Sequence, residues 1–122
     1  MILLDTCALL WLEHGHPRAK PLLKQPRLFV SPATILELQF LIEADRLRLR
    51  KGYSLTQFLT DGRWKVDAPM SDLWLLAATD VGWTRDPFDR LIVAHATMRR
   101  WRLATADSLM SERLPERDVL SL

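Results

Sequence analysis

Four carboxylic acids in this sequence are spaced so that a folded chain can bring their side chains to one place. Asp5 ends a predicted strand and Asp107 follows another, whereas Glu37 and Asp89 lie near the starts of two predicted helices. In an open α/β sheet, the parallel strands end and the following helices begin at one edge, where ligands bind. We therefore expect these four side chains to share one pocket.

A cluster of carboxylates has a chemical consequence. The negative charges repel one another, and a hard divalent cation such as Mg²⁺ or Mn²⁺, which prefers oxygen ligands, relieves that repulsion. A bound cation of this kind lowers the pKa of a water nucleophile and neutralises charge that develops on a phosphodiester. The predicted substrate is therefore nucleic acid or another phosphate ester.

The helical surroundings of Glu37 strengthen this interpretation. Its neighbours three and four positions away are Ala33, Thr34, Phe40 and Leu41, a face that is predicted to point inward. A carboxylate is rarely buried unless it is paired, protonated or bound to a metal, and no Lys or Arg occupies those positions. The alternative is that Glu37 lies at the rim of the core and reaches water.

Asp89 also shares its helix face with apolar residues, namely Ile92, Val93 and Ala96. It has a stronger structural alternative, because Asp86 is a predicted N-cap and Asp89 is then the third helical residue. An acid at that position is stabilised by the helix dipole and by a capping box, by about 0.3 to 1 kcal/mol. Capping explains this segment alone, but it does not explain three further acids at the same predicted edge.

The elements that would position these acids alternate between strand and helix. The apolar run at 1–5 is typical of a strand buried on both faces of a parallel sheet, and Thr6 is the predicted cap of a helix that Gly15 and Pro17 end. Similar signals predict further strands at 28–30, 64–66, 102–105 and 119–120, and further helices at 32–44, 54–61, 71–80 and 87–99. In the helix at 71–80, Leu73, Leu76 and Ala77 form the predicted core-facing side. The pattern predicts one domain over 1–122, an α/β sandwich with a mostly parallel sheet.

The composition narrows the class of protein. With 48% hydrophobic and 26% charged residues, the chain has the balance of a folded soluble protein. The single cysteine, Cys7, cannot form an internal disulfide, the start lacks a secretory signal, and no apolar run is long enough to span a bilayer, so we expect a cytoplasmic protein. The net charge of +2 does not by itself indicate a polyanionic partner. Basic clusters at 46–51 and 99–102 are candidates for phosphate contacts, or are simply solvated faces.

Four segments that carry these acids resemble the PIN-domain family, specifically VapC-type toxins, in order and spacing over residues 1 to 110. They are Leu3-Leu4-Asp5-Thr6, Ser31-Pro32-Ala33-Thr34-Ile35-Leu36-Glu37, Arg85-Asp86-Pro87-Phe88-Asp89-Arg90-Leu91-Ile92-Val93-Ala94 and Leu103-Ala104-Thr105-Ala106-Asp107. The resemblance implies a PIN-like three-layer α/β/α sandwich. The sequence departs from the family pattern at Thr84, where many close relatives carry histidine. It also departs over 45–69, a segment that follows no firm pattern.

The resemblance also implies roles for individual residues. Asp5, Glu37, Asp89 and Asp107 match the acidic metal-site positions of the family. Further positions are implied as accessory residues, with Asp86 as an acid or cap and with Thr6, Ser31 and Thr105 as hydroxyls that orient water or ligands.

The implied activity is Mg²⁺-dependent (or Mn²⁺-dependent) cleavage of RNA by the toxin of a type II toxin–antitoxin system. Such a toxin usually forms a homodimer, and a small antitoxin whose C-terminal segment covers the active site inhibits it. We expect a basic or aromatic antitoxin side chain to enter near Asp5, Glu37 and Asp89. The RNA target, the antitoxin and the number of metal ions are not encoded in any pattern of this sequence that we recognise.

Several alternatives stay open at this stage. One is a housekeeping PIN-type nuclease that processes RNA. Others are a metal-dependent phosphatase or a receiver-like domain, although no second acid adjoins Asp5, and a non-catalytic binding module in which the acids are only caps. Cys7 with His14, His16 or His95 suggests thiol or zinc chemistry, but the ligand spacing is unconvincing.

The aromatic residues offer a further hypothesis, because tryptophan can stack on unpaired bases. Large aromatics are more often core or interface anchors, and we expect that for Trp11 and Trp74. Trp101, which lies between Arg100 and Arg102, is the better candidate for a nucleic-acid contact.

Overall fold

A five-stranded sheet forms the centre of the computed structural model, which describes residues 1–122 apart from the side chain of residue 61. The strands are β1 (Ile2–Leu4), β2 (Leu28–Val30), β3 (Trp64–Val66), β4 (Arg102–Thr105) and β5 (Val119–Ser121). Their order in the sheet is β3-β2-β1-β4-β5, and every neighbouring pair is parallel. In the register, Ile2 of the central strand β1 lies beside Leu28 on one side and Arg102 on the other.

Helices connect these strands. They are α1 (Thr6–Glu13), α2 (Pro32–Glu43), α3 (Leu55–Asp61), α4 (Ser71–Thr79), α5 (Pro87–Arg99) and α6 (Ser108–Arg113), with 3₁₀ helices at Pro17–Lys24 and Glu116–Asp118. Side chains cap several of these helices as the sequence predicts. Ser31 caps α2 ahead of Pro32, and Asp86 caps α5 ahead of Pro87. Over the described residues, no helix is both long and apolar enough to cross a membrane.

Successive residues of β1 enter two separate hydrophobic clusters. Leu4 packs in a cluster with Leu9 of α1 and Leu38 of α2, whereas Leu3 packs with Ile92 of α5 and Leu103 of β4. Because neighbouring side chains of a strand point to opposite faces, helices cover both faces of the sheet. This arrangement confirms the predicted three-layer α/β/α sandwich, with a sheet that is parallel throughout the described residues.

The helix at 71–80 packs against the core through a face that the sequence predicts only in part, since Ala77 packs inward as predicted but the two leucines do not. Leu73 is 50% exposed and Leu76 is 64% exposed, so the prediction that they face the core is wrong. The residues of α4 that pack inward are Trp74, Ala77 and Ala78. The indole Nε1 of Trp74 donates a hydrogen bond to the carbonyl oxygen of Leu91 at 2.7 Å, which fixes the rotation of α4 against α5.

Three short helical segments were not predicted from the sequence, namely the 3₁₀ helix Glu116–Asp118 and two segments that lie near the site. The 3₁₀ helix Pro17–Lys24 contains prolines at 17 and 21, which indicate a break in an α-helix. The helix α6 has only six residues, which is too short for a periodic apolar signal. Both segments matter for the site, because one carries Arg18 and the other begins directly after Asp107.

Asp67 ties the end of β3 to α5. Its Oδ2 accepts hydrogen bonds from His95 Nε2 at 2.6 Å and from Arg99 Nε at 2.8 Å. His95 is completely buried. Because two donors from α5 bond to the carboxylate of Asp67, this residue forms a structural contact between the sheet and the helix.

Candidate active site

A pocket of about 400 Å³ opens at the carboxyl edge of the sheet, where β1 and β4 end. Asp5, Glu37, Asp89 and Asp107 all line it. The rest of its lining consists of Thr6, Cys7, Trp11, Arg18, Ala106 and Met110. The four acids expected to converge are therefore neighbours in space, while their catalytic and metal-binding roles stay predictions.

Asp5 lies at the centre of the sheet edge and is buried. One of its oxygens, Oδ1, accepts a hydrogen bond from the backbone N–H of Ala8 at 2.7 Å, so Asp5 and not Thr6 is the N-cap of α1. Burial raises the pKa of Asp5 to about 6, and the nearby charges of Glu37 and Asp107 act in the same direction. The hydroxyl of Thr105 opposes this effect by hydrogen bonding to the carboxylate. The side chain of Asp5 is thus fixed in position, and its charged form is destabilised relative to its neutral form.

Glu37 is half-buried on the face of α2 that looks towards α1. The hydroxyl of Thr6 donates a short hydrogen bond to Glu37 Oε1, and the same hydroxyl lies 3.0 Å from the hydroxyl of Thr34. Burial raises the pKa of Glu37, and the charge of Asp86 adds to the effect, whereas the bond from Thr6 lowers the pKa. Thr6 therefore fixes the position of one Glu37 oxygen, while the accessory role that the family resemblance implies for its hydroxyl stays a prediction.

The pKa of Asp89 is raised to about 7. Burial is the largest cause, followed by the charges of Asp86 and Glu37. Asp86 caps α5 by accepting from the N–H groups of Phe88 at 2.8 Å and Asp89 at 3.1 Å. The N–H of Asp86 donates to Thr84 Oγ1 at 3.3 Å, so the carboxylate of Asp89 does not close the capping box that was the structural alternative.

Asp107 is exposed and has a second function, because it is the N-cap of α6. Its Oδ1 accepts from the N–H of Met110 at 2.9 Å, and its own N–H donates to Thr105 Oγ1 at 3.0 Å. Thr105 thereby contacts two of the four acids, Asp5 and Asp107. Ser31, the remaining accessory hydroxyl, is completely buried and accepts from the N–H of Ala33 at 3.1 Å, so it positions α2 as a cap.

The donors in the pocket fit a hard cation. Their oxygens are the ligands that Mg²⁺ and Mn²⁺ prefer. Burial is the main cause of the raised pKa values of Asp5, Glu37 and Asp89, and repulsion from neighbouring acids adds to it. Among the described residues, no three histidine, cysteine, aspartate or glutamate side chains are close enough to enclose an ion. Mg²⁺ commonly keeps several water ligands and uses only one or two carboxylates together with substrate phosphate, so an open arrangement suits it.

Five residues that line the pocket were not predicted as site residues from the sequence, namely Cys7, Trp11, Arg18, Ala106 and Met110. Cys7 follows Asp5 and Thr6 directly, and partial burial of its thiol raises its pKa, with the charge of Asp5 contributing. Arg18 carries no sequence signal, because its position depends on the unpredicted 3₁₀ helix. The alternative of a Cys7 and histidine site gains no support, since His95 bonds to Asp67 and His16 stacks on Trp11.

The tryptophan side chains agree only in part with the predicted division into packing residues and a nucleic-acid contact. Trp74 packs between α4 and α5, as predicted. Trp101 stacks on Phe29 with ring centroids 4.5 Å apart, so its ring is engaged in packing at the other end of the sheet. Trp11 packs against the core, as predicted, but it also lines the acidic pocket.

Several solved structures share this fold. A toxin–antitoxin complex from Klebsiella pneumoniae has 18% sequence identity and a TM-score of 0.72, over 99% of this chain and 97% of that one. VapBC2 from Rickettsia felis, bound to a DNA fragment from its promoter, has 20% identity and a TM-score of 0.70, over 100% and 99%. FitAcB from Neisseria gonorrhoeae has 23% identity and a TM-score of 0.52, over 88% of each chain. At these identities the likeness establishes the fold.

The sequence itself provides the family assignment. No curated protein matches the chain. The family model described as PIN domain matches residues 2–113, which include all four acids of the pocket. The chain therefore belongs to the PIN domain family.

Proposed function

We propose that this protein is a metal-dependent endoribonuclease and the toxin of a toxin–antitoxin pair. The observation that carries the proposal is the single pocket lined by Asp5, Glu37, Asp89 and Asp107. PIN domains are nucleases that generally use divalent metals. A pocket that gathers four carboxylates at the edge of a parallel sheet suits that chemistry better than it suits a set of unrelated helix caps.

In this proposal the four acids hold Mg²⁺ or Mn²⁺. When bound, the ion supplies positive charge to the phosphodiester and lowers the pKa of a water molecule. The chain itself provides the orientation. Thr6 fixes one oxygen of Glu37, and the N–H of Ala8 fixes one oxygen of Asp5. Fixed carboxylates reduce the reorganisation that binding requires.

The antitoxin partner is proposed because the structural neighbours are toxin–antitoxin complexes. An acidic pocket favours a basic side chain from an inhibitor, which would neutralise the same charges as the metal ion. We propose that such a side chain, or an aromatic one, enters near Asp5, Glu37 and Asp89. A complex in which the partner leaves the pocket open would contradict this part of the proposal.

Homodimerisation is proposed from exposed apolar side chains on α2 and α4. Leu36 and Phe40 of α2 are 53% and 52% exposed, and Leu73 and Leu76 of α4 are also at the surface. Phe40 makes an edge-to-face contact with Phe88 of α5, with ring centroids 5.4 Å apart, which holds the exposed ring in place. Large exposed apolar areas mark interaction surfaces. Light scattering at micromolar concentration that detects only a 14.1 kDa species would contradict the dimer.

Cleavage assays test the enzymatic proposal. Single-stranded RNA and DNA of the same sequence are incubated with the purified chain in Mg²⁺, in Mn²⁺ and in EDTA. We expect metal-dependent cleavage of RNA and no cleavage in EDTA. An Asp80→Asn variant is the matched control for Asp89→Asn, because Asp80 is exposed and does not line the pocket. Equal cleavage by these two variants would refute the acidic pocket as the active site.

The toxin assignment needs a separate test in cells. Expression of the parent chain is expected to arrest growth, and co-expression of a short neighbouring reading frame is expected to relieve the arrest. The Asp89→Asn variant should not arrest growth at the same protein level. Active cleavage in vitro without arrest in cells would favour a housekeeping RNA-processing nuclease.

A further inference from the structure

Three side chains form a stack at the rim of the acidic pocket. The rings of Trp11 and His16 are stacked, with centroids 4.5 Å apart and planes 12° from parallel. The guanidinium carbon of Arg18 lies 4.7 Å from the centroid of Trp11. Trp11 and Arg18 both line the pocket with the four acids. Trp11 and Arg18 of the stack therefore belong to the surface that a ligand of the acids can contact.

The backbone between α1 and the following 3₁₀ helix builds this stack. The chain reverses at Gly15, whose φ of 67° is in the left-handed region that glycine adopts without strain. The N–H of His16 then donates to the carbonyl oxygen of Trp11 at 2.9 Å. His16 Nδ1 accepts from the N–H of Arg18 at 3.1 Å, which caps the 3₁₀ helix. The position of Arg18 is thus set by local hydrogen bonds.

The guanidinium of Arg18 is held by a main-chain oxygen and by an aromatic face, and not by an acidic side chain. It donates a short hydrogen bond to the backbone oxygen of Leu122 and rests on the face of Trp11. Among the described residues it forms no ion pair, and no other basic residue lines the acidic pocket. A structural arginine beside four carboxylates would be expected to bridge one of them. Arg18 instead keeps its positive charge and further N–H donors available at the rim.

An acidic pocket alone is a poor receptor for a polyanion. A metal ion offsets the carboxylates at the reacting phosphate, but a neighbouring phosphate of the strand still approaches a negative surface. A fixed arginine at the rim meets this need, because its planar fork of donors binds phosphate oxygens in pairs. Stacking on tryptophan keeps that plane oriented and reduces the rotamer freedom lost on binding.

We propose that Arg18, braced against Trp11, binds a phosphate of the RNA strand next to the one at the acidic cluster and so positions the strand in the pocket. The inference rests on the proposed function, since it names a residue that binds the RNA at the same site. It makes Arg18 a positioning residue with direct substrate contact, and it gives Trp11 the role of holding the guanidinium plane.

The test compares Arg18→Gln with Lys20→Gln. Lys20 lies in the same 3₁₀ helix, is exposed and does not line the acidic pocket, so the two variants lose the same charge from the same segment. Binding of a fluorescent single-stranded RNA is measured by anisotropy with Ca²⁺ in place of Mg²⁺, over a series of salt concentrations. Thermal melts check that each variant is folded.

We expect Arg18→Gln to weaken RNA binding by about tenfold or more, as for loss of a hydrogen-bonded charge. The slope of log affinity against log salt should fall in magnitude by about 0.7, the value for one phosphate contact to a single strand. Lys20→Gln should change affinity by less than about twofold and leave the slope nearly unchanged, as for an exposed charge away from the ligand. Arg18→Lys should keep the salt slope while losing part of the affinity, because the charge remains and the planar fork does not.

Equal RNA affinity and equal salt slope for Arg18→Gln and Lys20→Gln would overturn the inference. If Arg18→Gln does not fold, unchanged RNA affinity in Arg18→Lys overturns it in the same way. A parent chain that cleaves RNA while Arg18→Gln binds normally refutes only this inference. A parent chain that neither binds nor cleaves RNA with any divalent metal refutes the proposed function together with it.

Discussion

Aspartates follow two strands of the same sheet, and their surroundings have opposite electrostatic effects. Asp67 follows β3, where hydrogen bonds from Arg99 and His95 outweigh partial burial and hold its pKa below the ordinary value. Asp5 follows β1, where burial and neighbouring carboxylates raise its pKa to about 6. The first carboxylate is stabilised in its charged form by the fold, whereas the second is destabilised in it.

The partners of each carboxylate distinguish an acid with a structural role from one that is available to a ligand. Asp67 joins β3 to α5 and has partners that satisfy its charge. Among the described residues, the pocket acids accept hydrogen bonds from hydroxyl and backbone N–H groups but form no ion pair, so gathering their charges lowers the stability of the fold. This contrast indicates that the pocket binds a ligand that the chain does not itself supply. Substitutions that remove charge from each region test the comparison.

The largest expected effect is on cleavage. Asp89→Asn removes one charge from the pocket and nearly preserves shape, so RNA cleavage in Mg²⁺ should fall by about 100-fold or more, as expected for loss of a metal ligand. In EDTA the variant should melt at the same temperature as the parent or higher, because repulsion from Asp86 and Glu37 is relieved. A variant that is less stable in EDTA and fully active would place Asp89 with the structural acids.

The matching substitution in the other region should have the reverse outcome. Asp67→Asn leaves Arg99 and the buried His95 without their charged acceptor. We expect a loss of about 1.5 to 3 kcal/mol in the free energy of unfolding, the range for a hydrogen bond to a charged group. Chemical denaturation measures this loss, and cleavage by the folded fraction should be nearly that of the parent. Loss of cleavage without loss of stability would contradict the structural role of Asp67.

The pH dependence of stability provides a further test of the region around Asp67, through the titration of His95. Burial lowers the pKa of His95, although the bond and charge of Asp67 oppose that shift, and the charge of Arg99 adds to it. The unfolded chain therefore takes up a proton near pH 6.5 that the folded ring does not, so stability is full above that pH and is lost as the pH falls towards the folded pKa.

A His95→Gln variant should lack this contribution. The difference in unfolding free energy between parent and variant should shrink as the pH falls from 7.5, with a slope of at most about 1.4 kcal/mol per pH unit. Asp67 and Arg99 are the charged groups that act on the ring, and both remain in the variant. A difference that stays constant between pH 7.5 and 5 would show that the buried ring is not the source of the dependence.

Much of the fold and the set of acids was predictable because the signals are local. The apolar runs of β1 and β2 are short and continuous, as buried parallel strands are, and Ser31-Pro32 and Asp86-Pro87 mark helix starts by cap and ring chemistry. The convergence of the acids then follows from the topology, since parallel strands end at one edge.

The parts that were wrong or missed depend on contacts across the chain. The rotation of α4 is set by Trp74 bonding to Leu91, a contact that the amphipathic pattern of the helix does not contain. Arg18 reaches the pocket only because the chain turns at Gly15 and continues as a 3₁₀ helix. Asp5 and Asp107 are N-caps as well as pocket acids, and the sequence signal for a cap does not distinguish these two uses.

Asp107 gives the smallest effect and the sharpest separation of those two uses. Its Oδ1 accepts from the N–H of Met110, and asparagine caps helices about as well as aspartate does, so Asp107→Asn should change the free energy of unfolding in EDTA by less than about 0.5 kcal/mol. Asp107→Ala removes the cap and should cost about 0.5 to 2 kcal/mol. Both variants lose the pocket charge, and both should lose metal-dependent cleavage to a similar degree. Parallel denaturation curves and cleavage rates therefore distinguish the two functions in one residue. If cleavage instead follows stability, with Asp107→Asn active and Asp107→Ala impaired, Asp107 acts through the position of α6 and belongs with Asp67 among the structural acids.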